Sequence, residues 1–546
     1  MKNASGSSLK TNLQQILTKR KALILRQLQA RDASDTPAVR ISGRARRWVF
    51  LIWACFVVRG LFYASAIPLW EGFDEYAHYA RIEYLALEGR EPSRTTLLPA
   101  DVQETFSHAP VRNGGMTIDA YWKLTPEERR RGFPAPQGTI YEAQQPPLFY
   151  WMLVPIYRSL GGSSLETRVL WIRAACVLLA SIFIPLGFLI ARSVCGRDRE
   201  ALGATALMAA LPLLTFTSTH IANEALAIPL GTLIVLLTLR LRPISLSATL
   251  GAALLTKAYF LLFLPPVALL LLSRKTRRSA AIALSAAIAI AGWWYWHAWT
   301  SSGSLTGNIL LVQPSSSGAW RTLGAFRWGQ ASHFAWMTFV WVGNWSFLVV
   351  RSWMYQVLAL VCLLALCGAA CLAWKRDRGI LLCGAFLICF ASGVLYYGLV
   401  AQALTGFPSA AAWYACCLAA PFSILMCAGL RTIAPRSIEA ATGPLLVIMF
   451  SALEFFGANL LLLPYYAGFT SHLPNGGLPA GKLAQLVTGG PTLAERLTLY
   501  KPPWLTSSVL IWLWGLSLLA TAALVVISVW LGLRPGENTA RVGAIR

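Results

Sequence analysis

Charge is scarce in this chain: Asp, Glu, Lys and Arg make up 13% of 546 residues, whereas 56% are hydrophobic and the mean hydropathy is +0.55. A soluble domain is about one quarter charged, so a water-soluble protein is excluded. Repeated apolar runs approach the roughly 20 residues that cross a bilayer, which makes this a multi-pass membrane protein. Acid is scarcer than base, 23 residues against 47, for a net charge of +24. The Lys and Arg fall in short clusters between apolar runs, the pattern of topogenic charge, so no nucleic-acid partner is expected. The 11 cysteines lie in apolar runs or in segments expected on the cytoplasmic side, and none has a spacing that suits zinc. No convincing internal repeat is present. Paired half-repeats and midplane polar residues mark many transporters, so a polytopic transporter or lipid-linked-sugar flippase is the alternative class here and not the first.

The basic clusters orient the chain. Residues 1–47 hold 11 Lys or Arg against Asp32 and Asp35, which predicts a cytoplasmic tail and an outward first span. Within a membrane domain over 48–532, spans are expected near 48–67, 168–191, 201–219, 224–240, 245–256, 258–272, 279–299, 353–373, 380–401, 410–430, 444–464 and 506–531. That makes an all-α protein of about 12 transmembrane helices, with 533–546 as a second cytoplasmic tail. Three loops are then external: 68–167, 300–352 and 465–505. The first is large and is expected to carry interfacial helices, including 147–157; 328–350 reads as interfacial or re-entrant. No secretory signal peptide is visible. The basic stretch 9–28 either lies on the anionic inner leaflet or stays disordered. Most of the 22 tryptophans, such as Trp293, Trp294, Trp296 and Trp299, fit an interfacial belt.

The acids are unevenly spread. Twelve of the 23 lie between Glu71 and Glu142, and all six histidines fall in external loops or at outer span ends. At the mouth of the first span stands Trp70-Glu71-Gly72-Phe73-Asp74-Glu75-Tyr76-Ala77-His78-Tyr79. A lone Asp-Glu pair is ordinarily a solvated loop start. If 73–85 is helical, however, Asp74 and His78 share a face at i, i+4, so that His78 either orients Asp74 or forms a simple surface pair with it, and Glu75 shares the next face with Tyr79. Glu75 would then either favour the helix start through its dipole or join Asp74 and Glu224 around a divalent cation, Mg or Mn. No cofactor is otherwise called for. Two charges lie inside spans, Arg59 in the first and Glu454 in 444–464. Counting about 1.5 Å per residue puts them at comparable depth, so either they neutralise each other, the more economical arrangement, or Arg59 reaches up toward a substrate phosphate while Glu454 bonds polar groups of other helices.

The series Phe73-Asp74-Glu75-Tyr76-Ala77-His78, Tyr141-Glu142-Ala143-Gln144-Gln145-Pro146-Pro147-Leu148-Phe149-Tyr150, Ala222-Asn223-Glu224-Ala225-Leu226, Leu255-Thr256-Lys257 and Gly292-Trp293-Trp294-Tyr295 resembles the GT-C superfamily of membrane glycosyltransferases. Within it, the chain is similar to the bacterial branch related to protein O-mannosyltransferases and the lipid A aminoarabinose transferase. The resemblance implies a polyprenyl-phosphate sugar donor, a glycan, lipid or protein acceptor, a bacterial inner-membrane location and a catalytic acid in the first external loop, here Asp74. Glu224 falls where the family often places a second acid. Two departures stand out: Gln145 occupies a position that is Lys in the aminoarabinose enzyme, and a late Arg-Tyr reads Trp413-Tyr414. Lys257, between two apolar segments, either meets the donor phosphate or snorkels to the interface. Gln145 and Arg81 complete the substrate-binding candidates alongside Lys257 and Glu224. A sugar on a lipid phosphate already has a good leaving group, so one base suffices, and attack opposite the phosphate predicts inversion.

Overall fold

The computed structural model describes residues 41–307, 324–340 and 344–533. Among these residues there is no strand; Leu97 and Thr139 form an isolated antiparallel bridge. The stretch 9–28 and the tail 534–546 lie outside the described residues.

Helix α1 (Gly43–Ala66) leads into a segment whose main helices are α2 (Glu75–Glu88) and α3 (Leu148–Ser159). Then come α4 (Leu165–Cys195) and the pair α5 (Asp198–Ala210) and α6 (Pro212–Ser218), bent by 57° where Leu211 turns extended before Pro212. Three short apolar helices follow: α7 (Glu224–Leu239), α8 (Pro243–Leu254) and α9 (Ala258–Ala268). The rest are α10 (Arg277–Ser302), α11 (Trp328–Phe339), α12 (Ser352–Trp374), α13 (Arg378–Thr405), α14 (Ala412–Ile433), α15 (Glu439–Tyr466) and α16 (Ser507–Leu533).

Eight helices among the described residues (α1, α4, α10 and α12 to α16) are long and apolar enough to cross a membrane, or nine if α5 and α6 form one span. This is fewer than the twelve expected. Every expected span has a helix, but α7 and α8 have only 16 and 12 residues. At 1.5 Å per residue, 16 residues reach about 24 Å of a roughly 30 Å hydrocarbon core. Pro243 at the start of α8 and the extended backbone at Lys257 after it keep α7 to α9 from merging into longer helices.

The surface is inverted relative to a soluble protein. Leu360, Leu363 and Leu366 of α12, Ile388 of α13 and Trp512, Leu519 and Val526 of α16 are exposed, as lipid contact requires. On α10, Trp293, Trp296 and Trp299 are exposed and Trp294 is buried, which splits the expected belt. Helices α12 and α14 approach at Gly368 and Gly429, where any Cβ would overlap the facing backbone. Arg59 and Glu454 are fully buried and form the expected pair: Arg59 Nε donates to Glu454 Oε1 at 3.1 Å and Nη2 to Oε2. Arg59 also donates to Ala209 O at 2.6 Å and Thr215 Oγ1 at 3.3 Å.

The segment between α1 and α4 has its own apolar core. Trp70, Tyr79, Phe106, Ile140 and Phe149 pack onto Ile172 of α4 and Ile221 and Ala225 around the start of α7. It is also fastened to the α15–α16 connection. Asp119 accepts from His472 Nδ1 at 2.7 Å and Tyr465 OH at 3.0 Å, and Trp122 Nε1 donates to Tyr466 O at 2.9 Å.

Candidate active site

The turn that leaves α1 is held by an arginine. Arg173 of α4 uses all five donors: two reach Glu75 (Nε to Oε1, 2.7 Å; Nη2 to Oε2, 2.6 Å), and the others reach Ala64 O, Ile67 O and Pro68 O at 3.1, 2.8 and 2.8 Å. Glu75 Oε1 also accepts from Ile221 N at 3.0 Å. Burial would raise the Glu75 carboxyl, but the Arg173 guanidinium holds it below its ordinary value. Glu75 is thus a buried anchor turned into α4. Gly72 fits because a Cβ there would overlap the His220 side chain.

This anchor leaves Asp74 just ahead of α2 in left-handed backbone, φ 56°. An aspartate at a helix N-cap normally accepts from the first turn, worth about 1 kcal/mol. Asp74 makes no such bond; its Oδ1 accepts from Tyr141 OH instead. Burial pushes the Asp74 carboxyl up, the Tyr141 bond and the Lys257 charge oppose it, and Glu224 adds to it. The i, i+4 geometry expected for Asp74 and His78 fails because Asp74 precedes the helix. His78 is buried and its Nδ1 bonds Tyr150 OH at 2.8 Å; burial lowers the ring to about 3, so it is neutral.

Lys257 lies between α8 and α9, its Nζ paired with Glu224 Oε1 at the start of α7 and set 5.4 Å and 6.0 Å from the ring centres of Tyr259 and Tyr414. Lys257 and Glu224, distant in sequence, therefore pair, and the charges of both act on Asp74. Gln145 borders them: its Oε1 accepts from Asn223 Nδ2 at 3.4 Å. Arg81 does not join them. It is 1% exposed, donates to Glu91 Oε2 at 3.1 Å from Nε and 2.8 Å from Nη2, and from Nη1 to Glu142 O at 2.9 Å and Gln145 O at 2.8 Å, so it clamps the 142–145 turn onto α2. The three expected metal ligands are not assembled, since Glu75 is committed to Arg173. No group of three or more His, Cys, Asp or Glu side chains among the described residues is placed to hold a metal ion.

Tyr141, Glu142, Asn223 and Arg173 had no role assigned from sequence. Glu142 is buried, and its carboxyl is pushed up to about 8, first by burial and then by the Asp74 charge. Glu71 accepts from Ser346 N at 2.7 Å and Tyr466 OH at 3.1 Å, and burial raises it to about 7. Phe73 packs on Trp345, Phe347 and Trp413, with ring centres at 4.9, 5.7 and 4.7 Å, so the departure at Trp413 builds a wall beside Asp74.

No family model matches the chain, and no curated protein matches it. Solved structures do. ArnT from Cupriavidus metallidurans bound to undecaprenyl phosphate matches at 14% identity and a TM-score of 0.48, over 88% of this chain and 78% of that one. Its apo state matches at 16% identity and a TM-score of 0.47, over 89% and 78%.

Proposed function

We propose that this protein is a membrane glycosyltransferase that moves a sugar from a polyprenyl-phosphate carrier to an acceptor hydroxyl on the outer side of the membrane. The observation that carries this reading is the Asp74 carboxylate, withheld from its own helix cap and lying in the field of the Lys257–Glu224 pair where the first loop meets the ends of the apolar helices.

Asp74 takes the proton of the acceptor hydroxyl while that oxygen attacks the anomeric carbon; the bond from that carbon to the phosphate oxygen breaks, and polyprenyl phosphate leaves with the electron pair. Configuration inverts. The raised Asp74 affinity for protons makes it a stronger base than an ordinary carboxylate, and a positioned base contributes on the order of 100- to 10,000-fold. Lys257 has three ammonium donors and spends one on Glu224, so it can also contact the leaving phosphate. Tyr141 holds the Asp74 carboxylate in place. Glu75 and Arg81 position the turn and the 142–145 segment without touching substrate, and His78 supports Tyr150.

The test is transfer in proteoliposomes from a labelled short-chain polyprenyl-phosphate sugar. The expected result is acceptor-dependent release of free polyprenyl phosphate. Movement of the intact lipid across the bilayer without bond cleavage would instead identify a flippase.

A further inference from the structure

A phosphate does not answer every polar group at this site. The turn Tyr141–Gln144 presents Glu142, 4% exposed, whose Oε2 meets no hydrogen-bond partner among the described residues. Its carboxyl lies in the field of Asp74, Lys257 and Glu224. Asn223, fully buried, donates from Nδ2 to Gln145 Oε1 and Thr256 O, the latter at 3.3 Å. Both are acceptors, which fixes the amide orientation and aims Oδ1 elsewhere, where it too meets no partner among the described residues.

These positions are rigid. Arg81 clamps the carbonyls of Glu142 and Gln145, and Leu148 N donates to Leu255 O at 2.9 Å, tying the turn to the segment that carries Lys257. Unmet buried polar atoms are costly and call for partners. Asn223 Oδ1 can only accept, and the Glu142 carboxyl, pushed up to about 8, keeps its proton near neutral pH and so both accepts and donates; a ring hydroxyl answers both, whereas phosphate oxygens cannot answer Asn223. Glu142 feels the charges of both Lys257, proposed for the phosphate, and Asp74, proposed as the base.

We infer that Glu142 and Asn223 form the subsite that accepts hydrogen bonds from ring hydroxyls of the transferred sugar, and that they set which sugar is used. This rests on the glycosyltransferase reading. The probes are short polyprenyl-phosphate hexoses and pentoses, followed by monodeoxy analogues of the best donor. In the wild type, loss of a recognised hydroxyl should lower kcat/KM about 10- to 100-fold. In Glu142→Ala that preference should shrink to less than about threefold, because parent and analogue become equally poor. Glu142→Gln, which keeps an acceptor oxygen, should retain most of it. Asn223→Ala should erase the preference for a hydroxyl in the same way. If Glu142→Ala does not fold, Glu142→Asp withdraws the carboxyl by one methylene and should also erode the preference. Preferences unchanged in the Glu142 and Asn223 variants overturn the subsite while leaving transfer intact. A wild type that cleaves no lipid-phosphate sugar removes the underlying reading, and the subsite with it.

Discussion

Glu75→Gln separates a structural carboxylate from a reacting one. The substitution keeps the side chain's length and an oxygen for Ile221 N, but it removes the charge opposite Arg173, whose guanidinium is 1% exposed and committed to five acceptors. Removing one partner of a buried pair strands the other charge, at a cost of about 3–5 kcal/mol. Arg173→Met strands the carboxylate instead and also removes a donor from Ala64 O, Ile67 O and Pro68 O, of which Ile67 O keeps Lys501 Nζ and Pro68 O keeps Glu71 N, so it should cost at least as much. In the double variant neither member of the pair is left stranded, and the combined loss should fall short of the sum by at least about 1 kcal/mol. Reversible unfolding of the micelle-solubilised protein supplies the four corners of the cycle, and transfer per folded molecule is measured alongside. Glu75→Gln should reduce the folded fraction far more than the turnover of what remains folded. A Glu75→Gln protein as stable as the wild type but inactive would refute the anchor and make Glu75 a reacting group.

The same cycle at Arg59→Met and Glu454→Gln should show a loss for each single change and partial recovery in the pair, because both charges are buried at depth; simple additivity would deny the coupling. Lys257→Met should raise the KM for the lipid-phosphate donor at least about tenfold and leave the acceptor KM little changed, and an unaltered donor KM would reduce Lys257 to a partner for Glu224. Glu83 is buried against Tyr157, Asp101 and Arg168, and its carboxyl is raised from 4.5 to about 7, mainly by burial. The folded state therefore holds the extra proton across that range, so stability should decline as pH rises from about 4.5 through 7, and Glu83→Gln should flatten the decline in a melting series.

Much of this arrangement was legible before any coordinates. The Arg59–Glu454 pair followed from the cost of charge in hydrocarbon plus a count of residues from the span ends. The same reasoning applied to Arg173, a lone arginine between Ile172 and Ala174, and would have found it. Asp74, Glu224 and Lys257 were each picked out, yet the Lys257–Glu224 pairing depends on how α7 and α8 fold back, which no local pattern encodes. The i, i+4 argument for His78 failed for a specific reason: Asp74 sits in left-handed backbone outside the helix, and helical spacing does not extend through such a residue. Tyr141 and Asn223 had no periodic signal at all, only their place in the motif series. Arg81 looks like a substrate ligand because it is a cation near the acids, but its neighbours are backbone carbonyls, Glu91 and the Tyr150 ring.

The central claim is that Asp74 is the base, and Asp74→Asn tests it most directly. The amide preserves shape but lacks a basic oxygen, so the variant should insert, fold and bind a short-chain polyprenyl-phosphate sugar like the wild type while kcat for transfer falls by a factor on the order of 100 or more. Retention of more than about a tenth of wild-type kcat in folded, donor-binding Asp74→Asn would contradict the assignment.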